Sequence, residues 1–144
     1  MLTSPLIYYW SSTTGGTASI AHRLTTHTER ITPTTQAEQP YILMVPSYGS
    51  PRTKGHTPKP VKDFLRHNHH LMIGVIGTGN LAFGADYCAA AHSISAKFQV
   101  PIVWKVDLRG TGDDISEIDK RIRDDWQEFI TMKGLTRTLM NTET

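Results

Sequence analysis

At 144 residues, with 38% hydrophobic and 19% charged side chains, the chain has the size and composition of one soluble globular domain, residues 1–144, and is too short for two ordinary ones. A formal charge of +2 without a Lys/Arg-rich run argues against nucleic acid as a partner, and a single cysteine, Cys88, excludes an internal disulfide framework and a four-thiolate metal site. No apolar run approaches the roughly 18 residues of a membrane span, and no basic segment precedes a long apolar one, so neither a membrane helix nor a signal peptide is expected. The natural setting is a reducing cytoplasm.

Leu6 to Trp10 is short, apolar and rich in β-formers, and reads as a buried strand. Ser11 to Thr17 follows as a loop of hydroxyls and glycines, and Ala18 to Leu24 as a short helix with Ile20 and Leu24 on one face. A weaker strand is expected around Arg30-Ile31-Thr32, ended by Pro33. Tyr41 to Val45 is continuously apolar, the pattern of a strand covered on both faces. The segment from Pro46 to Pro58 is long enough for a loop to suggest function. Pro60 suits a first helical turn, and Val61, Phe64 and Leu65 give an amphipathic helix. Leu71 to Ile76 reads as the fourth strand, Gly77-Thr78-Gly79-Asn80 as its glycine-rich end, and Gly84 to Phe98 as a small-residue helix. Ile102 to Val106 is the fifth strand. Asp113 or Asp114 is expected to cap a last helix whose apolar stripe is Ile115, Ile118, Ile122, Trp126 and Phe129. Five strands interleaved with four helices predict an α/β architecture, a parallel sheet with helices on both faces.

In such sheets ligands bind beyond the carboxyl ends of the strands. Three ends carry unusual loops. Ser11, Ser12, Thr13, Thr14, Gly15, Gly16 and Thr17 offer hydroxyls and glycine amides at a helix start, an anion site; the plainer alternative is a strand–helix turn with a hydroxyl cap. The loop has no lysine, so it is not a Walker A phosphate loop, and it suits a terminal phosphate monoester. At Pro46-Ser47-Tyr48-Gly49 the tyrosine can lie against a planar ligand or simply be half-buried at a turn. Gly77-Thr78-Gly79-Asn80-Leu81-Ala82 matches the dinucleotide fingerprint, with Asp107 placed for a ribose. That fingerprint belongs after the first strand, and here it follows the fourth, so NAD binding is the lesser reading. A receiver-type phosphorylation domain would need carboxylates at the ends of the first and third strands, where this chain has Trp10-Ser11 and Pro46-Ser47.

An ordered set of motifs carries a resemblance. It comprises Ser11-Ser12-x-Thr14-Gly15-x-Thr17, Tyr41-Ile42-Leu43-x-Val45-Pro46-Ser47-Tyr48-Gly49 and Thr57-Pro58-x-x-Val61-x-x-Phe64-Leu65. It continues with Gly74-Val75-Ile76-x-x-Gly79-Asn80-x-x-Phe83-Gly84, Val100-Pro101 and Leu108-Arg109-Gly110-Thr111. In this order, over about residues 6 to 130, they resemble NrdI, the flavodoxin-like FMN protein family of the class Ib ribonucleotide reductase system. The resemblance implies a flavodoxin-like three-layer sandwich with strand order 2-1-3-4-5. FMN would be held at its phosphate by residues 11–17. Its ring would be bracketed by Pro46, Ser47, Tyr48 and Gly49 on one side and Thr78, Gly79, Asn80, Phe83 and Gly84 on the other, with Leu108 nearby. It further implies a redox accessory protein rather than an enzyme. Such a protein passes an O2-derived oxidant, superoxide or peroxide, to the dimanganese centre of the reductase small subunit, and takes electrons from an unidentified donor. A general FMN electron carrier is the alternative within the same fold. Gly16, Ala82 and His92 depart from the family pattern, where asparagine, asparagine and an acid are usual.

Electron-transfer flavodoxins tend to be acidic, and this mildly basic chain is expected to depress the second flavin reduction step less, with Lys54 and Arg109 supplying positive field. Other residues read more plainly. His67, His69 and His70 fit a helix C-terminus, Cys88 a core position, and Trp10 and Trp104 the sheet.

Overall fold

The computed structural model describes residues 3–12, 15–47, 57–81 and 87–135. Among the described residues the chain forms β1 (Leu6–Tyr9), α1 (Gly16–Arg23), β2 (His27–Arg30), β3 (Tyr41–Pro46) and α2 (Lys59–Asn68), the last followed by a 3-10 turn at His69–Leu71. β4 (Met72–Gly79), α3 (Ala89–Phe98), β5 (Ile102–Asp107) and α4 (Gly112–Lys133) complete it. Every strand pair is parallel, and the sheet order is β2-β1-β3-β4-β5, as the resemblance implies.

Side chains alternate between the two faces of a strand, and here each face has its own core. Leu6, Tyr8, Leu43 and Val45 pack with α2 and α3, while Ile7, Tyr9, Ile42 and Met44 pack with α1 and α4. β3 therefore has no polar face, which is why it reads as an unbroken apolar run. On the first face Tyr8, Tyr41 and Phe64 form an aromatic triad with ring centroids 5.1–5.5 Å apart. The Tyr41 hydroxyl donates to the Asn68 carbonyl at 2.8 Å, and the Asn68 side chain bonds Phe64 O and Ala37 N, so one buried amide ties α2 to the chain entering β3.

Five elements differ from the sequence expectation for physical reasons, α3 among them: it begins at Ala89 and not near Gly84, because Cys88 before it holds a left-handed φ of 56° that a helix cannot contain. β2 lies three residues earlier than expected, because it is an edge strand with largely exposed side chains, and Ile31 falls just beyond it. β4 continues through Gly77, Thr78 and Gly79, paired to Val45 and Pro46 on one side and to Lys105, Val106 and Asp107 on the other. α1 begins at Gly16, before the apolar pattern starts. α4 is capped by Thr111, not by Asp113 or Asp114: the Thr111 hydroxyl accepts from Asp114 N at 3.2 Å, and Asp114 Oδ2 accepts from Thr111 N at 2.9 Å. In its stripe Ile130 is fully buried, and Phe129 only partly so.

Asp119 is a buried carboxylate on α4. Its Oδ2 accepts from Thr25 N at 2.9 Å, and its Oδ1 accepts from Thr26 N at 3.0 Å and the Thr26 hydroxyl at 2.7 Å. Burial pushes its pKa up, but these bonds outweigh burial and leave it below the ordinary carboxyl value. The pair of amides it satisfies forms the turn between α1 and β2. Asp119→Ala orphans them and is expected to cost roughly 1–3 kcal/mol in urea unfolding near neutral pH. A depressed carboxyl stabilises above its unfolded pKa of about 3.9 and loses that contribution as pH falls through the folded value, so the wild-type advantage should be constant near neutrality and shrink below about pH 4.

Candidate functional site

The carboxyl ends of β1, β3, β4 and β5 converge on one edge of the sheet. In the order 2-1-3-4-5 the chain reverses direction across the sheet between β1 and β3, which places a crevice at their ends. The residues expected to bind a ligand lie at that edge wherever they are described.

At the end of β1, Gly15 occupies the N-cap of α1 in the left-handed region, φ 75°, and has no side chain with which to cap. Ser11 substitutes for it: its hydroxyl oxygen accepts from Ala18 N at 3.0 Å. Gly15 N donates to Ser12 O at 3.0 Å and closes the turn. The earlier amides of the first turn, those of Gly16 and Thr17, have no acceptor within a helix. A Cβ built on Gly16 would meet nothing within 4 Å, so the space in front of the helix is open. The helix dipole makes that space favourable for an anion. Arg30 on β2 adds a fixed cation, its Nη2 donating to Ser11 O at 2.8 Å and its guanidinium standing 6.0 Å from the Tyr9 ring centroid.

The ends of β3 and β4 are knitted to this loop. Thr17 Oγ1 and Thr78 Oγ1 are 2.9 Å apart and buried. Ser47 N donates to Thr78 O at 3.2 Å, while the Ser47 hydroxyl accepts from Ala90 N at 2.9 Å. That second bond caps α3, whose own N-cap residue, Cys88, sits at φ 56° and offers no side-chain cap. Gly77 and Gly79 let α3 lie close: a Cβ on Gly77 would come within 2.7 Å of Ala91 Cβ and 3.0 Å of Cys88 Cβ, and one on Gly79 within 3.1 Å of Cys88 N. The glycines of the dinucleotide fingerprint therefore lie inside a strand and serve helix–sheet packing. They do not form the strand–turn–helix context that a phosphate-binding fingerprint requires.

At the end of β5, Leu108 N donates to Gly79 O at 2.7 Å, and Asp107 Oδ1 accepts from Leu81 N at 2.9 Å. Asp107 thus fixes the segment after β4. Leu108 holds φ 54°, uncommon for a residue with a γ-branched side chain, and both Leu81 and Leu108 are 59% exposed. Leu108 and Arg109 share a shallow depression with Gly16, so the start of α1 and the β5–α4 loop face one space. Arg23 Nη2 donates to Arg109 O across it. On the other side Lys105 Nζ lies 3.5 Å from His92 Nε2 and 5.6 Å from the Tyr87 ring centroid. At the position where the family usually has an acid, His92 brings no carboxylate to Lys105.

Ser11, Ser12, Gly15, Gly16, Thr17, Pro46, Ser47, Thr78, Gly79, Asn80 and Leu108 are thus brought to one edge. Thr13, Thr14, Tyr48, Gly49, Phe83 and Gly84 lie outside the described residues, as do Lys54 and Ala82. Sequence reasoning missed Arg23, Arg30 and Lys105, whose placement follows from strand register and helix packing rather than from any local motif. Cys88 is buried in the core, and burial pushes its thiol up to about 11. His69 stacks on Phe98, and among the described residues no group of three or more His, Cys, Asp or Glu is arranged to hold a metal. Trp104 lies in β5 and donates from Nε1 to Asp114 Oδ1 at 3.0 Å; Trp10 packs at the margin of the core. Among the described residues no helix is long and apolar enough to cross a membrane.

A family model described as "NrdI Flavodoxin like" matches residues 7–120. A protein NrdI of Pectobacterium carotovorum subsp. carotovorum (strain PC1) is 38% identical over 136 residues, spanning 89% of this chain and 99% of its own. A protein NrdI of Brucella ovis is 37% identical over 127 residues, spanning 84% and 94%. Among solved structures, a short-chain flavodoxin associated with a non-canonical PDU bacterial microcompartment is similar with a TM-score of 0.62 at 16% identity, covering 85% of this chain and 95% of that one. The flavodoxin of Streptococcus pneumoniae TIGR4 gives 0.61 at 20% identity, covering 84% and 96%. At such identities the structures show the fold alone, and that fold is flavodoxin-like.

Gly77→Ala tests the approach of α3 to β4. Its methyl group meets a helix backbone-borne Cβ rather than a flexible side-chain tip, so the substitution is expected to destabilise by about 1–3 kcal/mol. Gly16→Ala, with open space at the same distance, should be nearly silent in the same urea titration.

Proposed function

The chain belongs to the NrdI flavodoxin-like family, and on that premise we propose that residues 1–144 act as one cytoplasmic FMN-binding domain that serves class Ib ribonucleotide reductase. In this reading it supplies an O2-derived oxidant, superoxide or peroxide, for assembly of the dimanganese–tyrosyl radical cofactor on the reductase small subunit. It draws its electrons from a separate donor and acts as a maturation factor rather than as a self-contained enzyme.

The observation that carries the cofactor assignment is the opening of α1. The Ser11 oxygen accepts at the helix start, Gly15 and Gly16 leave open space, the first-turn amides lack helical acceptors, and Arg30 stands behind the loop. No carboxylate lies between Ser11 and Thr17. This donor set fits a phosphate monoester and lacks the lysine that a metal-bound triphosphate would call for. Ser11, Ser12, Thr13, Thr14, Gly15, Gly16 and Thr17 would hold the phosphate. Pro46, Ser47, Tyr48 and Gly49, with Thr78, Gly79, Asn80, Phe83, Gly84 and Leu108, would flank the ring. The bound flavin supplies the electron chemistry. The chain's own part is to orient and enclose it. The Ser47–Ala90 and Asp107–Leu81 bonds fix the loop bases, Leu81 and Leu108 present apolar surface that keeps water from the rim, and Arg23, Lys105 and Arg109 supply positive field.

The purified protein is expected to retain flavin absorption through desalting after incubation with FMN, and to retain riboflavin, which has no phosphate, far less. Gly16→Asp separates ligand binding from folding. A carboxylate at the first helical position complements the dipole by about 0.3–1 kcal/mol and should leave Tm unchanged or raised. The same charge faces the phosphate and should weaken FMN by roughly tenfold or more. A colourless protein, or a Gly16→Asp variant that binds FMN as tightly as the wild type, overturns the assignment. Capture of a class Ib small subunit by the immobilised flavoprotein is expected; its failure with FMN bound would instead favour a general electron carrier.

A further inference from the structure

On the face of the sheet away from α1 and α4, α2 and α3 lie side by side over the first core. A groove runs between them. Its floor is apolar: Leu65 and Ile94 are buried at 4% exposure, and Phe98 is partly buried beside them. Its rim is basic. Lys62 and Arg66 project from α2 and Lys97 from α3, all exposed, and among the described residues no carboxylate lines the groove. On α2, Asp63 is engaged by Lys59 at 2.9 Å and makes a longer ion pair with Arg66 at 3.9 Å. His69 closes one end, its Nδ1 donating to Leu65 O at 2.9 Å and its ring stacked on Phe98 at 5.2 Å.

We propose that this groove binds an acidic peptide segment of a partner protein, one that sets an apolar side chain on the Leu65–Ile94–Phe98 floor and its flanking carboxylates against Lys62, Arg66 and Lys97. Lys62 and Lys97, which have no acidic counterpart among the described residues, and Arg66, paired only loosely with Asp63 at 3.9 Å, surround an apolar floor and are complementary to that pattern. A nucleic acid fits less well. The aromatic ring in the groove is already stacked by His69 instead of offering an open face to a base, and the chain's net charge of +2 gives little long-range attraction for a polyanion. The groove is built from α2 and α3, with Thr57 and His69 just outside the ends of α2.

The test uses the full chain, with and without FMN, and a fluorescein-labelled peptide of sequence Asp-Glu-Leu-Phe-Glu-Glu followed by anisotropy. Binding that weakens as salt is raised is expected, with amide chemical-shift changes confined to α2 and α3. The variant Lys62→Glu/Lys97→Glu changes only exposed side chains and should unfold as the wild type does, yet bind about tenfold or more weakly, the size expected when attractive rim pairs become repulsive. Replacing Leu-Phe in the peptide by Ser-Ser should abolish binding. No measurable binding, a Kd indifferent to the charge reversal, shift changes away from the groove, or tighter binding of a dT oligonucleotide of equal charge each overturns the proposal.

Discussion

The hydroxyl oxygens of Ser11 and Ser47 accept from Ala18 N and Ala90 N, and in doing so they begin two helices from the ends of two strands. Neither α1 nor α3 has a capping side chain at its own N-cap, where Gly15 and Cys88 both take left-handed backbone. Each cap oxygen is worth on the order of 1 kcal/mol to its helix. Its larger effect is geometric, because the start of each helix is fixed to the sheet rather than to the loop that leads into it. The loops can then be shaped for a ligand. The buried Thr17–Thr78 contact and the Ser47 N to Thr78 O bond join the two arrangements through β4, so the end of β4 couples the start of α1 to the end of β3.

What could be read from the sequence was what local pattern determines. Leu6 to Tyr9 and Tyr41 to Val45 announce strands covered on both faces, and Ile118, Ile122 and Trp126 announce a helix stripe, because burial on a regular element leaves a regular mark. The order of hydroxyls, glycines and apolar runs also carried the family. The rest depended on partners distant in sequence. His27 to Arg30 has no apolar signature because β2 is an exposed edge. Gly77 and Gly79 look like punctuation, and only the approach of Ala91 and Cys88 shows why a strand interior needs them. Asp119 resembles any solvated helix acid until Thr25 and Thr26 are placed against it. Thr111 was legible in principle as the first member of a capping box, but Asp114 stands where Glu or Gln would make the signature plain. At the candidate site the ends of β1 and β3 could be read from the apolar runs that precede them, Gly77 to Gly79 lie within β4 and not beyond it, and the cations Arg23, Arg30 and Lys105 could be found only from register and packing.

Charge is distributed unevenly over this surface. At the sheet edge, positive side chains are held by backbone: Arg30 by the Ser11 carbonyl and Arg23 by the Arg109 carbonyl. Between α2 and α3 the cations are exposed and have little acidic company. A chain of small net charge can thus keep a rigid positive field at one end and an adaptable one on a flank.

Cys88 carries the one sulfur in this chain able to form a thiolate, and it is buried beneath the start of α3 against the glycines of β4. With the thiol pushed up to about 11 by burial, little of it is thiolate at neutral pH. Oxidation to sulfenic acid and beyond proceeds from an accessible thiolate, so this side chain stands off the oxidation ladder on both counts. The packing that lets α3 sit on β4 thus also shields the thiol from oxidants in solution.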